Sequence, residues 1–293
     1  MAWSVLLGKS MDFPKLVYIW RGSCQNTPQL IYINVANKLK KKPKSMKISW
    51  KINDADIQKI KNVMNDNNNV FLKSRIKLNI EKKNIDISKD NIIKNLMMCL
   101  LTSQQRSGPN SPVGKFLNLK PFPITNKLIN ESENTELLIK QILQSNGLTR
   151  YINQISAFFS LNIAKIEKDD WKIIEKLEYL NKNQSKLAER QLADFLNDWL
   201  KGFGPKQSRN FLQALGLTKY ELPIDSRITG WLNDFGFPVS LTSSPLSDKG
   251  YYHFVSDGIQ ELCVKAEIYP CELDAAIFSS YDNNEWTEEN TTF

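Results

Sequence analysis

Lys206 ends the stretch "LKGFGPK", behind Gly202, Gly204 and Pro205, and Asp225 follows nineteen residues later in "LPIDSRI". A lysine amine is a nucleophile only when neutral. An exposed lysine titrates near about 10.4, so a catalytic one needs surroundings that destabilise its ammonium. Two such influences are legible here. Pro205 suits the first turn of a helix, which puts Lys206 at the positive end of a helix dipole. Phe203 and Phe211 offer apolar cover, which pushes the same way. Asp225 opposes both, because a carboxylate favours the charged amine, and the two groups form a coupled pair. Plainer readings of the same residues stand beside this one. The stretch also fits a glycine turn between helices with no ligand. It equally fits a grip on backbone phosphates, since glycines admit close approach and N–H groups opening a helix bind anions. Asp225 also fits the N-cap of the helix "SRITGWLNDFG".

Positioning these residues requires helices, and the pattern supplies them. "SKLAERQLADFLNDWL" places Leu187, Leu192, Phe195, Leu196 and Trp199 on one stripe of a 3.6-residue period. "KQSRNFLQALGL" then predicts a second helix with Phe211, Leu212 and Leu215 inward and Gly216 as its stop. Helix, tight hairpin, helix over about 187–217 is the result. Upstream, "DADIQKIKNVM" opens with an acidic cap candidate, and Ser88 caps "SKDNIIKNLMMCLLTSQQ". Further helices are expected in "NTELLIKQILQSNGL", "TRYINQISAFFSLNIAKI" and "DDWKIIEKLEYL". The first 53 residues differ. "KLVYIW" and "QLIYINV" flank the polar "RGSCQNTP" as a hairpin, and "MKISWKI" fits a third strand. The expected fold is mainly α in two helical subdomains. A basic, β-rich appendage spans 1–53, the core spans 54–281, and a flexible acidic tail spans 282–293.

Net charge is +8 and unevenly spread. Residues 1–100 hold 19 Lys and Arg against 7 Asp and Glu, much of the excess in "NKLKKKPKSMKISWK". A run of that kind is ordinarily a solvated loop, so charge alone is weak evidence for a nucleic-acid partner. No apolar run reaches the roughly 18 residues of a membrane span. The N-terminus lacks a basic region and a small-residue cleavage site, so no signal peptide is expected. Cys24, Cys99, Cys263 and Cys271 form no C-x-x-C pair and are expected to be reduced thiols. The lone histidine, His253, makes neither a metal site nor a triad. Tyr251, Tyr252 and Trp231 suit core positions, with stacking as the alternative.

"LKGFGPK" with "LPIDSRI" at this spacing resembles the helix-hairpin-helix (HhH-GPD) DNA glycosylase superfamily. Two further stretches are similar to it. "LLTSQQRSGPNSP" resembles a helix-end motif that fills the gap left by an extruded base. "ELDAAIFSSYD" resembles the last helix of the 8-oxoguanine branch. The likeness covers roughly residues 88–281.

The resemblance implies a bifunctional DNA glycosylase/AP lyase of base excision repair, since members with lysine at this position have both activities. By carry-over Lys206 attacks C1′, displaces the base, forms a Schiff base and cuts by β-elimination. Asp225 stabilises the positive charge developing at C1′. The base must first leave the stack. Gln104, or failing it Gln105, fills the vacancy. Arg106 meets the opposite base or a phosphate, and Gly202 and Gly204 lie against the backbone. Arg227 replaces a histidine frequent in the family and is a phosphate candidate. Phe278 stacks on the base, and Asp274, one turn earlier, accepts hydrogen bonds from its edge. 8-Oxoguanine is the best match. The resemblance leaves open the same chemistry on another or undamaged base, in a defence role, and a non-catalytic DNA-binding protein. The implied partner is double-stranded DNA with a damaged base, bound by a monomer in the cytoplasm or nucleoid, or in a eukaryotic nucleus. No cofactor is expected: the C-terminal cysteines lack the spacing for an iron–sulfur cluster, while Na⁺ or K⁺ fits the hairpin carbonyls near 200–205.

Overall fold

The computed structural model describes residues 48–281, 286–288 and 291. Most of the β-rich appendage expected over 1–53 lies outside these residues. The described part of the expected third strand, residues 48–52, forms no strand, and neither does any other described residue. The described residues from 50 onward belong to one compact unit.

Helices follow one another from Asp54. They are α1 (Asp54–Asp66), α2 (Val70–Arg75) running into a π-helical turn (Ile76–Ile80), α3 (Lys89–Leu101), α4 (Pro112–Leu117), α5 (Asn126–Asn130), α6 (Thr135–Ser145) and α7 (Ile152–Lys168). Next come α8 (Ile173–Lys182), α9 (Lys186–Trp199), α10 (Pro205–Ala214), α11 (Ser226–Phe235), α12 (Lys249–Ala266) and α13 (Pro270–Ser280). Local chemistry sets many of the ends. Asn53, not Asp54, caps α1 in a reciprocal capping box with Asp56. Ser88 caps α3 as expected, accepting from the Asn91 N–H. Gly216 ends the second hairpin helix with φ of 72°, a left-handed value that glycine adopts without penalty.

Two apolar cores result. One joins α3 to α10 through residues such as Leu96, Phe116, Phe159, Leu196 and Phe211. The other joins α1, α11, α12 and α13 through Ile60, Ile228, Tyr252, Ile259 and Ile277. A small third cluster sets Phe71 and Leu72 of α2 against Ala275 of α13 and Trp286. Trp286 belongs to the expected flexible tail, yet it is buried, with its ring 4.6 Å from that of Phe71.

The inward stripe of α9 differs from the expected one. Of the expected stripe Leu196 is fully buried and Leu192, Phe195 and Trp199 pack half-buried against the core, but Leu187 is 63% exposed, and Glu189 and Ala193 face inward as well. A charged residue at an inward position breaks the pattern because its partners lie far along the chain. Glu189 accepts from the Thr218 hydroxyl and from the N–H groups of Lys219, Tyr220 and Glu221. Burial raises its carboxyl pKa, and those hydrogen bonds hold it down. Glu221, also fully buried, pairs with Arg209 of α10 at 3.0 Å and with Arg190 of α9 at 2.8 Å, and accepts from Gln260 of α12. Asp194 of α9 closes the set by binding Arg209 and His253. This network ties the hairpin helices to α12, and so one core to the other.

Candidate active site

Lys206 is the second residue of α10, and its elevation from an ordinary cation begins with how the hairpin is held. Gly202 has φ of 78°. A Cβ there would stand 2.6 Å from Phe158 Cδ2 and 2.8 Å from Leu100 Cδ2, so only glycine lets the turn close against α3 and α7. Buried Asn162 of α7 fixes the turn from below. It donates to the Lys201 carbonyl at 2.9 Å and accepts from the Lys201 N–H at 2.8 Å. Lys165 donates to the Trp199 carbonyl at 2.7 Å. The carbonyls of Leu200 and Phe203 accept no hydrogen bond among the described residues. They are therefore free to hold the alkali cation that the family resemblance implies. No group of three or more His, Cys, Asp or Glu placed to hold a metal ion occurs among the described residues.

Lys206 itself is half-buried. Burial lowers its pKa; Asp225 and then Cys99 oppose this, Arg227 adds to it, and Asp274 opposes it weakly. It forms no ion pair among the described residues, because the nearby carboxylate is already engaged. Asp225 Oδ2 is bound by Arg227 Nε at 2.9 Å and Nη2 at 2.7 Å. Its Oδ1 caps α11, accepting from the N–H groups of Arg227 and Ile228. The capping role expected from sequence is therefore present, and the carboxylate stays beside the lysine without contacting it. The residues leading into Asp225 are pinned by Tyr252, whose hydroxyl donates to the Leu222 carbonyl at 2.7 Å and accepts from the Ile224 N–H at 2.8 Å. Cys99, the thiol beside Lys206, has its pKa pushed up by burial and stays protonated.

One cavity is lined by Lys206, Asp225, Arg227, Gln105, Asp274 and Phe278. Residues from four separate stretches of sequence thus meet in one place. Asp274 is buried, and its pKa is raised to about 6 by that burial, against the pull of Arg75. Phe278 stacks on Phe71 with ring centroids 4.9 Å apart, and the Arg227 guanidinium lies 4.0 Å from its ring centre. Arg227 is therefore held by Asp225 and Phe278 rather than projecting free. The two glutamines part company. Gln105 turns into the cavity, where its Nε2 is buried without a partner. Gln104 is exposed in a left-handed backbone conformation, φ of 65°, a strained state for a residue other than glycine. It lines a second depression beside Gly202, Tyr151 and Phe158. Arg106 is exposed on the same loop, and a Cβ at Gly204 would meet nothing within 4 Å.

Arg75, Asn210 and Gln213 also line the main cavity and were not singled out from sequence. Asn210 and Gln213 fall four and seven residues after Lys206 on α10, which is one helix face, so periodicity alone carried a signal for them. Arg75 lies on α2, outside every motif.

No family model matches the sequence, and no curated protein matches it. Solved structures do. The 8-oxoguanine glycosylase/lyase of Methanocaldococcus jannaschii, in complex with 15mer DNA containing 8-oxoguanine, is similar with a TM-score of 0.57 at 18% identity, over 79% of this chain and 99% of that one. The 8-oxoguanine DNA glycosylase of Thermotoga maritima matches with a TM-score of 0.57 at 13% identity, over 79% and 98%. A second Methanocaldococcus jannaschii structure of 8-oxoguanine DNA glycosylase matches at 0.56 and 16%, over 80% and 98%. No helix among the described residues is long and apolar enough to cross a membrane. Over most of its length, with Lys206 at the head of α10, the chain has the helix-hairpin-helix fold of the 8-oxoguanine DNA glycosylases.

Proposed function

We propose that this protein is a bifunctional DNA glycosylase/AP lyase acting on duplex DNA with a damaged base, 8-oxoguanine being the best match. The observation that carries the reading is a half-buried amine, unpaired among the described residues and lowered in pKa. It sits at a helix N-terminus and shares a cavity with a carboxylate that it does not touch. A lysine serving only to contact phosphate has no need of such burial.

In this reading the hairpin N–H groups hold a backbone phosphate, and the Leu200 and Phe203 carbonyls would hold an alkali cation, which would add positive charge there. The extruded nucleotide enters the cavity, and Gln104 takes its place in the stack. Lys206 Nζ, as the neutral amine, forms a bond to C1′ while the bond from C1′ to the base breaks. The base leaves with that electron pair and gains a proton. Asp225, oriented by Arg227, stabilises the positive charge that develops at C1′. Loss of a proton from the new ammonium opens the sugar ring to a Schiff base. Removal of a C2′ proton then expels the 3′ phosphate.

Borohydride trapping tests this. A covalent adduct with DNA holding 8-oxoguanine, absent in Lys206→Gln, is expected. Adducts with other bases only would move the reading to another substrate. No adduct with any lesion or abasic site would leave a non-catalytic binder.

A further inference from the structure

The cavity that holds Lys206 is also lined by groups for which the lysine chemistry has no use. Arg75 of α2 is only 8% exposed and makes one long hydrogen bond, from Nη1 to the Gln213 carbonyl at 3.4 Å. It forms no ion pair among the described residues. Asp274 of α13 is 7% exposed, faces the same cavity, and is likewise in no ion pair among the described residues. Each influences the other's ionisation, so the two charges are close. Buried opposite charges normally close into a hydrogen-bonded pair, because each has lost its water. Here they form no ion pair, and both line the same cavity.

The amides nearby show the same unused capacity. Gln213 is 1% exposed and lies near enough to favour the Asp274 carboxylate, yet its Nε2 is in hydrogen-bond geometry with no acceptor. Gln105 Nε2, at the cavity edge, is also a buried donor without a partner. The wall thus offers one acceptor group flanked by surplus donors. Its complement is a flat edge bearing adjacent N–H groups next to a carbonyl oxygen.

Given the glycosylase reading above, we propose that Arg75 is a specificity-determining residue. With Gln213 it takes the O6 carbonyl of an extruded purine while Asp274 takes the neighbouring N–H groups, so the site selects 6-oxopurines over 6-aminopurines. A 6-aminopurine would set its amino group against the guanidinium and its N1 lone pair against the carboxylate. Both contacts leave buried groups unpaired, which is the strongest form of rejection a pocket has.

The test uses the full chain and single-turnover excision from duplexes holding 8-oxoguanine, 8-oxohypoxanthine or 8-oxoadenine. Each rate is divided by the same variant's cleavage of an abasic duplex, which has no base edge to read and so corrects for loss of folded protein. The wild type is expected to favour both 6-oxo bases over 8-oxoadenine by about a hundredfold. Arg75→Met should cut that preference to under about tenfold, and Arg75→Lys should restore part of it. Gln213→Leu should reduce it by a smaller factor, which covers the case in which Arg75→Met does not fold. An unchanged preference in Arg75→Met or, where that variant does not fold, in Gln213→Leu would overturn the assignment and leave the lyase reading intact. So would equal excision of all three bases by the wild type. Failure of the wild type to cleave even the abasic duplex would overturn both readings.

Discussion

The two hairpin glycines are two residues apart and should respond oppositely to alanine. At Gly202 the backbone has φ of 78°, and a Cβ would come within 2.6 Å of Phe158 and 2.8 Å of Leu100. The left-handed conformation costs an alanine about 1–2 kcal/mol, and forcing a methyl into packed side chains adds about 1–3 kcal/mol. Lower entropy of the unfolded chain returns about 0.4–1 kcal/mol. Gly202→Ala should therefore lose about 2–4 kcal/mol, or about 5–12 °C in Tm for a domain of this size. Gly204 has φ of −115° and open space where its Cβ would be. Alanine is a poorer N-cap than glycine by under about 1 kcal/mol, and the unfolded-state gain offsets that. Gly204→Ala should melt within about 2 °C of wild type, yet bind DNA at least about tenfold more weakly if a phosphate rests on the hairpin backbone. Thermal melts and fluorescence anisotropy with a duplex carrying a tetrahydrofuran abasic analogue measure both effects. A Gly202→Ala protein as stable as wild type would refute the packing argument. A Gly204→Ala protein with wild-type affinity would refute the phosphate grip.

Three further outcomes are expected. Arg227 disfavours the Lys206 ammonium and holds Asp225 away from it, so Arg227→Gln should raise the lysine pKa and move the acid limb of abasic-site cleavage to higher pH; an unmoved or lowered limb would contradict this. Asp274, raised from 3.8 to about 6 in the folded state, binds its proton more tightly folded than unfolded. Stability should therefore fall as pH rises from about 4 to 6. Asp274→Asn should flatten that slope and gain up to about 3 kcal/mol at pH 7.5, read from Tm at pH 4.5 and 7.5. Excision by the wild type should drop below about pH 6, where the carboxyl no longer accepts two N–H groups. Glu221→Ala leaves Arg209 and Arg190 without their buried partner and should cost about 3–5 kcal/mol; a loss under about 1 kcal/mol in urea unfolding would show that the network is not what joins the two cores.

Much of this was legible because it is local. Pro205 at the start of α10, Gly216 at its end, Ser88 capping α3 and Asp225 capping α11 each follow from a few neighbouring residues. The apolar face of α10 was legible too. Its polar face, Lys206–Asn210–Gln213, was equally periodic, but a polar face ordinarily means solvent, and only α2 and α13 turn it into a cavity wall. Glu189 marks the limit more sharply. Gln184, five residues before it, is one donor, but the other donors arrive from residues 218–221, some thirty positions away, and nothing in the local pattern announces them. Arg75 was out of reach for the same reason, since Gln213 and Asp274 lie 138 and 199 residues further on.

The site also changes the meaning of Asp225. From sequence, lysine and aspartate formed a simple coupled pair, in which the carboxylate works against the neutral amine that the chemistry needs. The structure inserts a third group. Arg227 binds Asp225 through two nitrogens while adding its own positive charge near Lys206. A carboxylate held this way stays close, yet forms no ion pair with the lysine. In the proposed reaction the arginine offsets part of the pull that Asp225 exerts on the Lys206 ammonium before the base departs. As charge develops at C1′ in that reaction, a new cation appears near Asp225 for which no partner was fixed in advance. The aspartate would then act on the transition state with less opposition than on the resting ammonium. That difference is the form a catalytic contribution must take, because only an interaction stronger in the transition state lowers the barrier.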